Sequence, residues 1–134
     1  MNFAFQMRSL CGLMLFLFML AAQAASMDDD FLAAREAFRV GNAARLGPHA
    51  KRLKGHLLEP YLVYWQLSLR LEQAAAEEVR TFLAVHRDGP LAERLRNEWL
   101  KVLGRNQQWE QFNAELPLLI GDDVEITCYA LQSR

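Results

Sequence analysis

The three histidines are the first residues to consider for chemistry. His49, His56 and His86 could each ligate a metal ion, but none has a second ligand at helical spacing. No pair of carboxylates stands out as an acid–base couple, because Glu77 and Glu78 fall in the first turn of a predicted helix, where negative charge favours the helix dipole. The sequence therefore predicts no catalytic residue, no metal site and no cofactor site.

Three tryptophans could stack on sugar rings. Trp65, Trp99 and Trp109 stand among apolar residues at helical spacing, which is the pattern of core packing. We expect them to pack in the core, and we predict no sugar subsite.

One stretch is locally basic. Residues 37 to 58 contain no Asp or Glu, and four cations in this stretch form the predicted contact face: Arg45, Lys51, Arg52 and Lys54. Such a face could meet an anionic polymer or an acidic protein surface. The alternative is an ordinary solvated face.

The first 24 residues have the pattern of a secretory signal peptide. A single cation, Arg8, precedes an apolar run from Leu10 to Leu20, and Ala22-Gln23-Ala24 provides a small-x-small cleavage site. The alternative is a membrane anchor, but the run is about half of the roughly 20 residues that span a bilayer. Cys11 stands at the start of the run, away from the cleavage point, which argues against lipidation. We expect cleavage after Ala24, export to the periplasm and no membrane span afterwards.

Residues 25–134 are then the length of one domain. The leader holds one of the 15 basic residues and none of the 16 acidic ones, so the exported chain is slightly acidic and is not predicted to bind nucleic acid. It keeps one cysteine, Cys128, in a compartment where thiols tend to be oxidised. An odd cysteine there predicts a disulfide partner outside this chain.

The exported chain is predicted to be all-helical, because β-branched residues are sparse and no stretch alternates apolar and polar residues for long. The predicted central helix is the apolar stretch from Pro60 to Leu71, which is apolar around much of its circumference and needs neighbours on two sides. Two helices are predicted before it: Asp29 to Val40, capped by the acidic run at its start and by Gly41 at its end, and Asn42 to Lys54, kinked or broken at Gly47-Pro48. Two more follow it: Ala74 to His86, and Pro90 to Gly104, which is capped by Asp88. The chain then forms a short helix through Trp109, Phe112 and Leu116, ended by Pro117, and a last helix that is opened by Asp122 and Asp123 and runs through Leu131.

The spacing of the predicted helix starts gives a two-helix unit of roughly 30 to 34 residues, although no repeat is visible in the sequence itself. Helix pairs joined by tight turns favour an α-solenoid, a superhelix of antiparallel hairpins.

Several segments resemble the N-terminal region of soluble lytic murein transglycosylases. Glu59-Pro60-Tyr61-Leu62-Val63-Tyr64-Trp65-Gln66-Leu67 is similar to the Pro-Tyr-Leu-x-Tyr segment of that family. Further similar segments follow the family order: Phe31 to Phe38, Phe82-Leu83 ahead of Gly89-Pro90, Leu95 to Leu100, and Gln108 to Phe112. The resemblance covers about residues 29 to 129. It implies the U-shaped superhelical scaffold of an enzyme whose separate C-terminal domain cleaves peptidoglycan (murein) strands to 1,6-anhydromuramoyl ends.

The resemblance carries over no catalytic residue. The family's catalytic glutamate precedes a serine, with Gly-Leu-Met-Gln downstream, and this sequence contains neither motif. We therefore expect a truncated or split scaffold portion, inactive by itself and incomplete at its C-terminus, with peptidoglycan or the missing catalytic domain as its partner. The resemblance also implies that Cys128 pairs with a cysteine further along the chain.

Two other functions stay open. The chain could be a free-standing periplasmic helical-repeat adaptor that binds a protein partner, or a small enzyme of unknown type. In the incomplete scaffold, the last helix should fray and should expose some of Val124, Ile126, Tyr129 and Leu131, since a solenoid needs a polar cap at its end. Self-association or a Cys128-linked dimer is then expected under oxidising conditions.

Overall fold

The computed structural model describes residues 27–134. The predicted signal peptide, residues 1–24, lies outside the described residues. Within residues 27–134 the chain forms seven α-helices and no strand, so the all-α prediction is confirmed for this range. The helices are α1 (27–39), α2 (Ala43–Arg52), α3 (Glu59–Ser68), α4 (Ala76–Val85), α5 (Pro90–Arg105), α6 (Trp109–Glu115) and α7 (Val124–Gln132), with a 3₁₀ turn at Leu116–Leu118.

The turn between α1 and α2 follows from local sequence. Gly41 adopts φ 70°, its N–H donates to the Phe38 carbonyl at 2.9 Å, and the Asn42 N–H donates to the Ala37 carbonyl at 2.8 Å. These two bonds form a Schellman motif, which satisfies the last carbonyls of α1. Asn42 then caps α2, since its Oδ1 accepts from the Arg45 N–H at 2.9 Å. Both predicted caps are confirmed.

The proline in α2 does not break the helix. The α-helix runs without interruption from Ala43 to Arg52, with Pro48 inside it, so the break that the sequence suggested is wrong. Proline removes one helical hydrogen bond, the one to the carbonyl of Ala44, which is an exposed residue. Leu46 and Leu53, on either side of the proline, are fully buried. Their burial offsets the lost hydrogen bond.

The central position of α3 is confirmed, although the helix ends at Ser68, three residues earlier than predicted. Leu62, Trp65 and Leu67 are buried. The rings of Phe31 and Phe38 on α1 lie 5.2 Å and 5.5 Å from the Trp65 ring, and Phe38 stacks on it. Such aromatic pairs add about 0.5–1.5 kcal/mol each beyond the area that they bury. Trp65 is thus a core residue, as predicted.

The longest helix, α5, differs from its prediction at both ends. Asp88 does not cap it: the N-cap residue is Gly89, no side chain caps the first turn, and the Asp88 side chain is 93% exposed. Gly104 does not end it, because the helix continues to Arg105. Instead, Gly104 lies under the Tyr129 side chain of α7.

The end of the chain follows the prediction closely. Helix α6 gives way to a 3₁₀ turn that contains Pro117. Asp123 is the N-cap of α7, and its Oδ1 accepts from the N–H groups of Glu125 and Ile126 at 3.0 Å and 3.2 Å.

The odd-numbered helices form a row. The aromatic contacts link α1 to α3, and α3 contacts α5, which contacts α7. The even-numbered helices pack against this row: α2 lies on α3, and both α4 and α6 lie on α5. Among the helices of residues 27–134, none has the length and apolar composition needed to cross a bilayer.

Candidate functional site: a polar cleft between three helices

A polar cleft of about 360 Å³ lies between the C-terminal end of α3, the outer face of α5 and the start of α7. One face of α5 forms its floor, since residues three and seven apart on a helix point to the same side. The polar side chains that line the cleft are Ser68, Glu72, Gln73, Glu98, Lys101, Arg105 and Glu125.

Glu98 joins α5 to α3. Its Oε1 accepts from the Tyr64 hydroxyl at 2.6 Å and its Oε2 from the Ser68 hydroxyl at 2.8 Å. Tyr64 is 2% exposed, and this burial, followed by the hydrogen bond to the negative Glu98, raises its pKa to about 12. Tyr64 is therefore a neutral donor at physiological pH, and both oxygens of Glu98 are used for structure.

Lys101 joins α5 to α7. Its Nζ lies 2.7 Å from Asp123 Oδ2 and 3.8 Å from Glu125 Oε2. The hydrogen bond from Lys101 is the main reason that the pKa of Asp123 falls to about 2, and the same bond raises the pKa of Lys101. Asn97 Nδ2 also donates to Asp123 at 3.3 Å. The N-cap of α7 is thereby tied to α5.

The charged and polar groups of the cleft are largely paired. Glu98 accepts two hydroxyl hydrogen bonds, Lys101 is paired with Asp123, and Arg105 lies 3.6 Å from Glu72. The cleft therefore offers hydrogen-bonding groups, most of them already paired, to a polar ligand.

The structure does not bring the four predicted basic residues together. Arg52 forms a bidentate pair with Asp30 of α1, at 2.8 Å and 2.6 Å, and His49 Nδ1 lies 2.8 Å from the same carboxylate. Arg52, and to a lesser extent His49, hold the pKa of Asp30 well below its usual value. Asp30 thus does more than favour a helix dipole, because it clamps α1 to α2. Arg52 belongs to that clamp.

The other three basic residues are exposed but divided between two surfaces. Lys51 and Lys54 border a shallow hollow of about 180 Å³ beside Glu59. Arg45 lies on the α1 side of α2, where its charge contributes to the lowered pKa of Glu36, after the larger effect of Arg39. The contact face of Arg45, Lys51, Arg52 and Lys54 stays a prediction, and Lys51 and Lys54 are the two of its residues that border one hollow.

Cys128 is exposed on α7, and it forms no disulfide with any residue of the described range. Val124 and Leu131, on the same helix, are 82% and 63% exposed, whereas Ile126 is buried. The prediction that the last helix exposes some of its apolar residues is confirmed.

The three histidines lie apart. His49 belongs to the clamp with Asp30, His56 Nδ1 accepts from the Leu58 N–H at 3.3 Å, and the His86 ring lies 4.5 Å from the Phe82 ring. Across residues 27–134 no three potential metal ligands come together.

A charge network around the buried Glu115 was not predicted from the sequence. Glu115 is only 7% exposed, and it lies 3.2 Å from Arg80 Nε and 3.8 Å from Arg96 Nε. Glu93 Oε1 accepts from the N–H groups of Ile120 and Gly121 at 2.9 Å and 3.0 Å. The spacing of Glu93 and Arg96 could have suggested a helical ion pair. Nothing local marks Glu115, whose partner Arg80 is 35 residues away.

No family model, no curated protein and no solved structure matches the chain. The resemblance to lytic transglycosylases therefore rests on the segments quoted above, and the function that it implies is a proposal.

Proposed function

We propose that this chain is a non-catalytic helical scaffold of the lytic murein transglycosylase type, exported to the periplasm, where it works beside peptidoglycan or a separate catalytic domain. The observation that carries the proposal is the arrangement of the helices. A row of odd-numbered helices covered by even-numbered ones is the packing expected of an α-solenoid.

The position of the resembling segment supports this assignment. The Pro-Tyr-Leu-x-Tyr segment forms α3, where Leu62 and Trp65 are buried at the centre of the fold and Tyr64 holds α5 through Glu98. These contacts give the segment a structural role in the packing of α3 against α5.

The first experiment measures both activity and binding on purified peptidoglycan. The purified chain should release no anhydromuropeptides but should sediment with insoluble murein sacculi. Release of anhydromuropeptides would overturn the scaffold proposal. In the same experiment, mass spectrometry should find Ala25 as the N-terminus of periplasmic material, whereas an intact Met1 in the membrane fraction would favour the anchor.

Charge reversal tests the contact surface. The double variant Lys51→Glu with Lys54→Glu should lose most of the sedimentation with sacculi, and rising salt should weaken the binding of the unmodified chain. The matched control is Arg35→Glu with Arg87→Glu, which makes the same charge change at exposed positions away from the hollow. Equal losses in the two variants would show that binding is non-specific.

A second function is favoured by one observation. The outward apolar side chains of α7 are not covered by any described residue, which suits a free-standing adaptor that binds a protein. The neighbouring DNA distinguishes the two: a reading frame that encodes the glutamate-bearing domain favours the scaffold, and its absence favours the adaptor.

A further inference from the structure

A furrow runs along α3 between α2 and α4. Gln66 and Leu67 follow Val63 by three and four residues, so the three side chains lie on one side of α3 and form the floor. A hollow of about 180 Å³ lies between this floor and α2, and a second hollow of about 300 Å³ lies between the floor and α4. Val63 borders both hollows. We call the two hollows together the α3 furrow.

The packing of α4 leaves the furrow open. Helix α2 packs on α3, whereas α4 packs on α5. Within residues 27–134 the ion pairs of α2 lead to α1, and those of α4 lead to Arg70 and to α6, so they do not cross the furrow. The corresponding gap between α4 and α6 is closed, because Arg80 lies 3.2 Å from Glu115 and stacks over the Trp99 ring. That gap contains its own cation and its own carboxylate.

The α2 side of the furrow is cationic. Lys51 and Lys54 border the smaller hollow, both are exposed, and neither forms an ion pair with a residue of the described range. The acidic residue beside them, Glu59, accepts from the Gly55 N–H at 2.7 Å. The two lysines thus lack the paired carboxylate that Glu115 supplies in the neighbouring gap.

The α4 side of the furrow is mainly apolar. Phe82 and Val85 line the larger hollow together with Val63. Val85 is 70% exposed, although its side chain is apolar. Glu78, at the other end of this side, is paired with Arg70. The α3 furrow therefore joins an apolar side to a cationic one.

We propose that the α3 furrow binds an acidic peptide segment of another protein. The carboxylates of the segment pair with Lys51 and Lys54, and one apolar side chain of the segment packs against Phe82 and Val85. The segment thereby supplies the negative charge that the fold itself provides between α4 and α6.

Two features favour a peptide over other anions. The Gln66 amide on the floor forms no hydrogen bond with a residue of 27–134, so its donor and its acceptor can both pair with the main chain of a peptide. The two sides of the furrow also require a ligand with two kinds of group. A small inorganic anion would use only the cationic side, and an uncharged apolar ligand would use only the α4 side.

The size of the furrow sets the length of the segment. From Glu78 to Val85 the α4 side extends for seven residues, which is about 10 Å. An extended peptide rises about 3.3 Å per residue, so three or four residues fill the furrow. So short a segment buries much less than the roughly 800 Å² per partner of a stable complex. The binding is therefore expected to be weak and reversible.

The test selects peptides on the full purified chain from a phage-displayed library of random heptapeptides. Selected peptides should carry at least two acidic residues and one large apolar residue. A synthetic, fluorescein-labelled copy of the most enriched peptide should bind the chain in a fluorescence anisotropy titration, and rising salt should weaken this binding.

Charge variants test the cationic side. Lys51→Glu with Lys54→Glu should raise the dissociation constant of the labelled peptide at least about tenfold, because two attractions become repulsions. Arg35→Glu with Arg134→Glu makes the same charge change at exposed positions away from the furrow and should leave the constant unchanged. A second peptide, with lysine in place of each acidic residue, should bind the lysine-to-glutamate variant and not the unmodified chain.

Uncharged variants test the apolar side. Val85→Asn should raise the dissociation constant about threefold to tenfold, because the apolar contact is lost. Val124→Asn, at an exposed valine of α7, should leave it unchanged. Both positions are exposed, so neither variant opens a cavity in the core.

The peptide site and the scaffold function can fail separately. The proposed contact with sacculi needs only the two lysines, so Val85→Asn should weaken peptide binding and leave sedimentation with sacculi unchanged. Selection of peptides without acidic residues, equal losses in Val85→Asn and Val124→Asn, or failure of the lysine peptide to bind the charge-reversed chain would overturn the peptide site. Loss of sedimentation in Val85→Asn, with no peptide enriched, would overturn it as well and would assign the furrow to peptidoglycan.

Discussion

Gly104 is the position where a single added methyl group should separate two helices. It lies inside α5, and a Cβ atom built on it would lie 2.9 Å from Tyr129 Cβ and closer still to the ring carbons Cγ and Cδ2. Tyr129 is also packed edge-on against Phe112, with 6.4 Å between the ring centroids. The tyrosine cannot give way without losing that contact or lifting α7.

The magnitude of Gly104→Ala is the difference between two opposing effects. Alanine is more favourable than glycine inside a helix by about 1 kcal/mol. Overpacking costs about 1–3 kcal/mol, and the upper half of that range applies because the obstacle includes Tyr129 Cβ, which moves only with the backbone of α7. The free energy of unfolding should fall by about 1–2 kcal/mol. In a domain of this size each kcal/mol lowers Tm by about 4–8 °C.

Thermal and urea unfolding of four variants measure this effect: Gly104→Ala, Gly47→Ala, Tyr129→Ala and the double variant of Gly104→Ala with Tyr129→Ala. Gly47→Ala is the matched control, because Gly47 is the other glycine inside a described helix and a Cβ there meets nothing within 4 Å. It should be neutral or slightly stabilising, with its gain limited by the proline that follows. Tyr129→Ala opens space, so Gly104→Ala should cost about 1 kcal/mol less in that background. A rise in Tm for Gly104→Ala comparable to that of Gly47→Ala would refute the packing argument.

Two further predictions concern pH. The folded-state pKa of Asp123 is about 2, below its usual value of 3.8, so its contribution to stability is complete above pH 4 and is lost as pH falls towards 2. Asp123→Asn, which removes the Lys101 pair, should flatten the acid dependence of Tm in this window, and Asp122→Asn should leave it as steep as in the unmodified chain. Tyr64 has a folded-state pKa of about 12 against a usual 10.0, so its stabilisation is complete below pH 10 and is lost between pH 10 and 12. The absorbance difference between the unmodified chain and Tyr64→Phe should show one tyrosinate appearing with a titration midpoint near pH 12. Glu98→Gln should lower this titration midpoint. A midpoint of 10 in the unmodified chain would contradict the Tyr64–Glu98 contact.

Some local signals in the sequence were confirmed and others were wrong: Gly41 and Asn42 form the predicted turn, whereas Asp88 does not cap α5 and Pro48 does not break α2. Gly41 and Asn42 determine their turn through their own backbone and side-chain preferences, which act over four or five residues. Pro48 has an equally strong local preference, yet the helix continues through it because Leu46 and Leu53 are buried by other helices. Local rules predict local hydrogen bonds, and tertiary burial can override them.

The polar cleft could not be predicted for the same reason. Tyr64 and Ser68 lie 34 and 30 residues before Glu98. The sequence does not indicate that this part of α3 packs against this part of α5. Only the positions of Glu98 and Lys101 on one face of a helix were readable. The charge of Arg52 was visible too, but its pairing with Asp30 depends on how α2 folds back on α1.

The anchoring of α7 gives its outer surface a defined position. The N-cap Asp123 is held by Lys101 and Asn97, Ile126 is buried, and Tyr129 sits over Gly104. These contacts lie at the start, the middle and the last turn of the inner face, and all of them lead to α5 or the core. These contacts stabilise α7 against α5, and the predicted fraying of the last helix stays a prediction for hydrogen exchange. The exposed apolar side chains of α7 therefore belong to a positioned helix, and a surface that is already positioned loses little conformational entropy when a partner covers it.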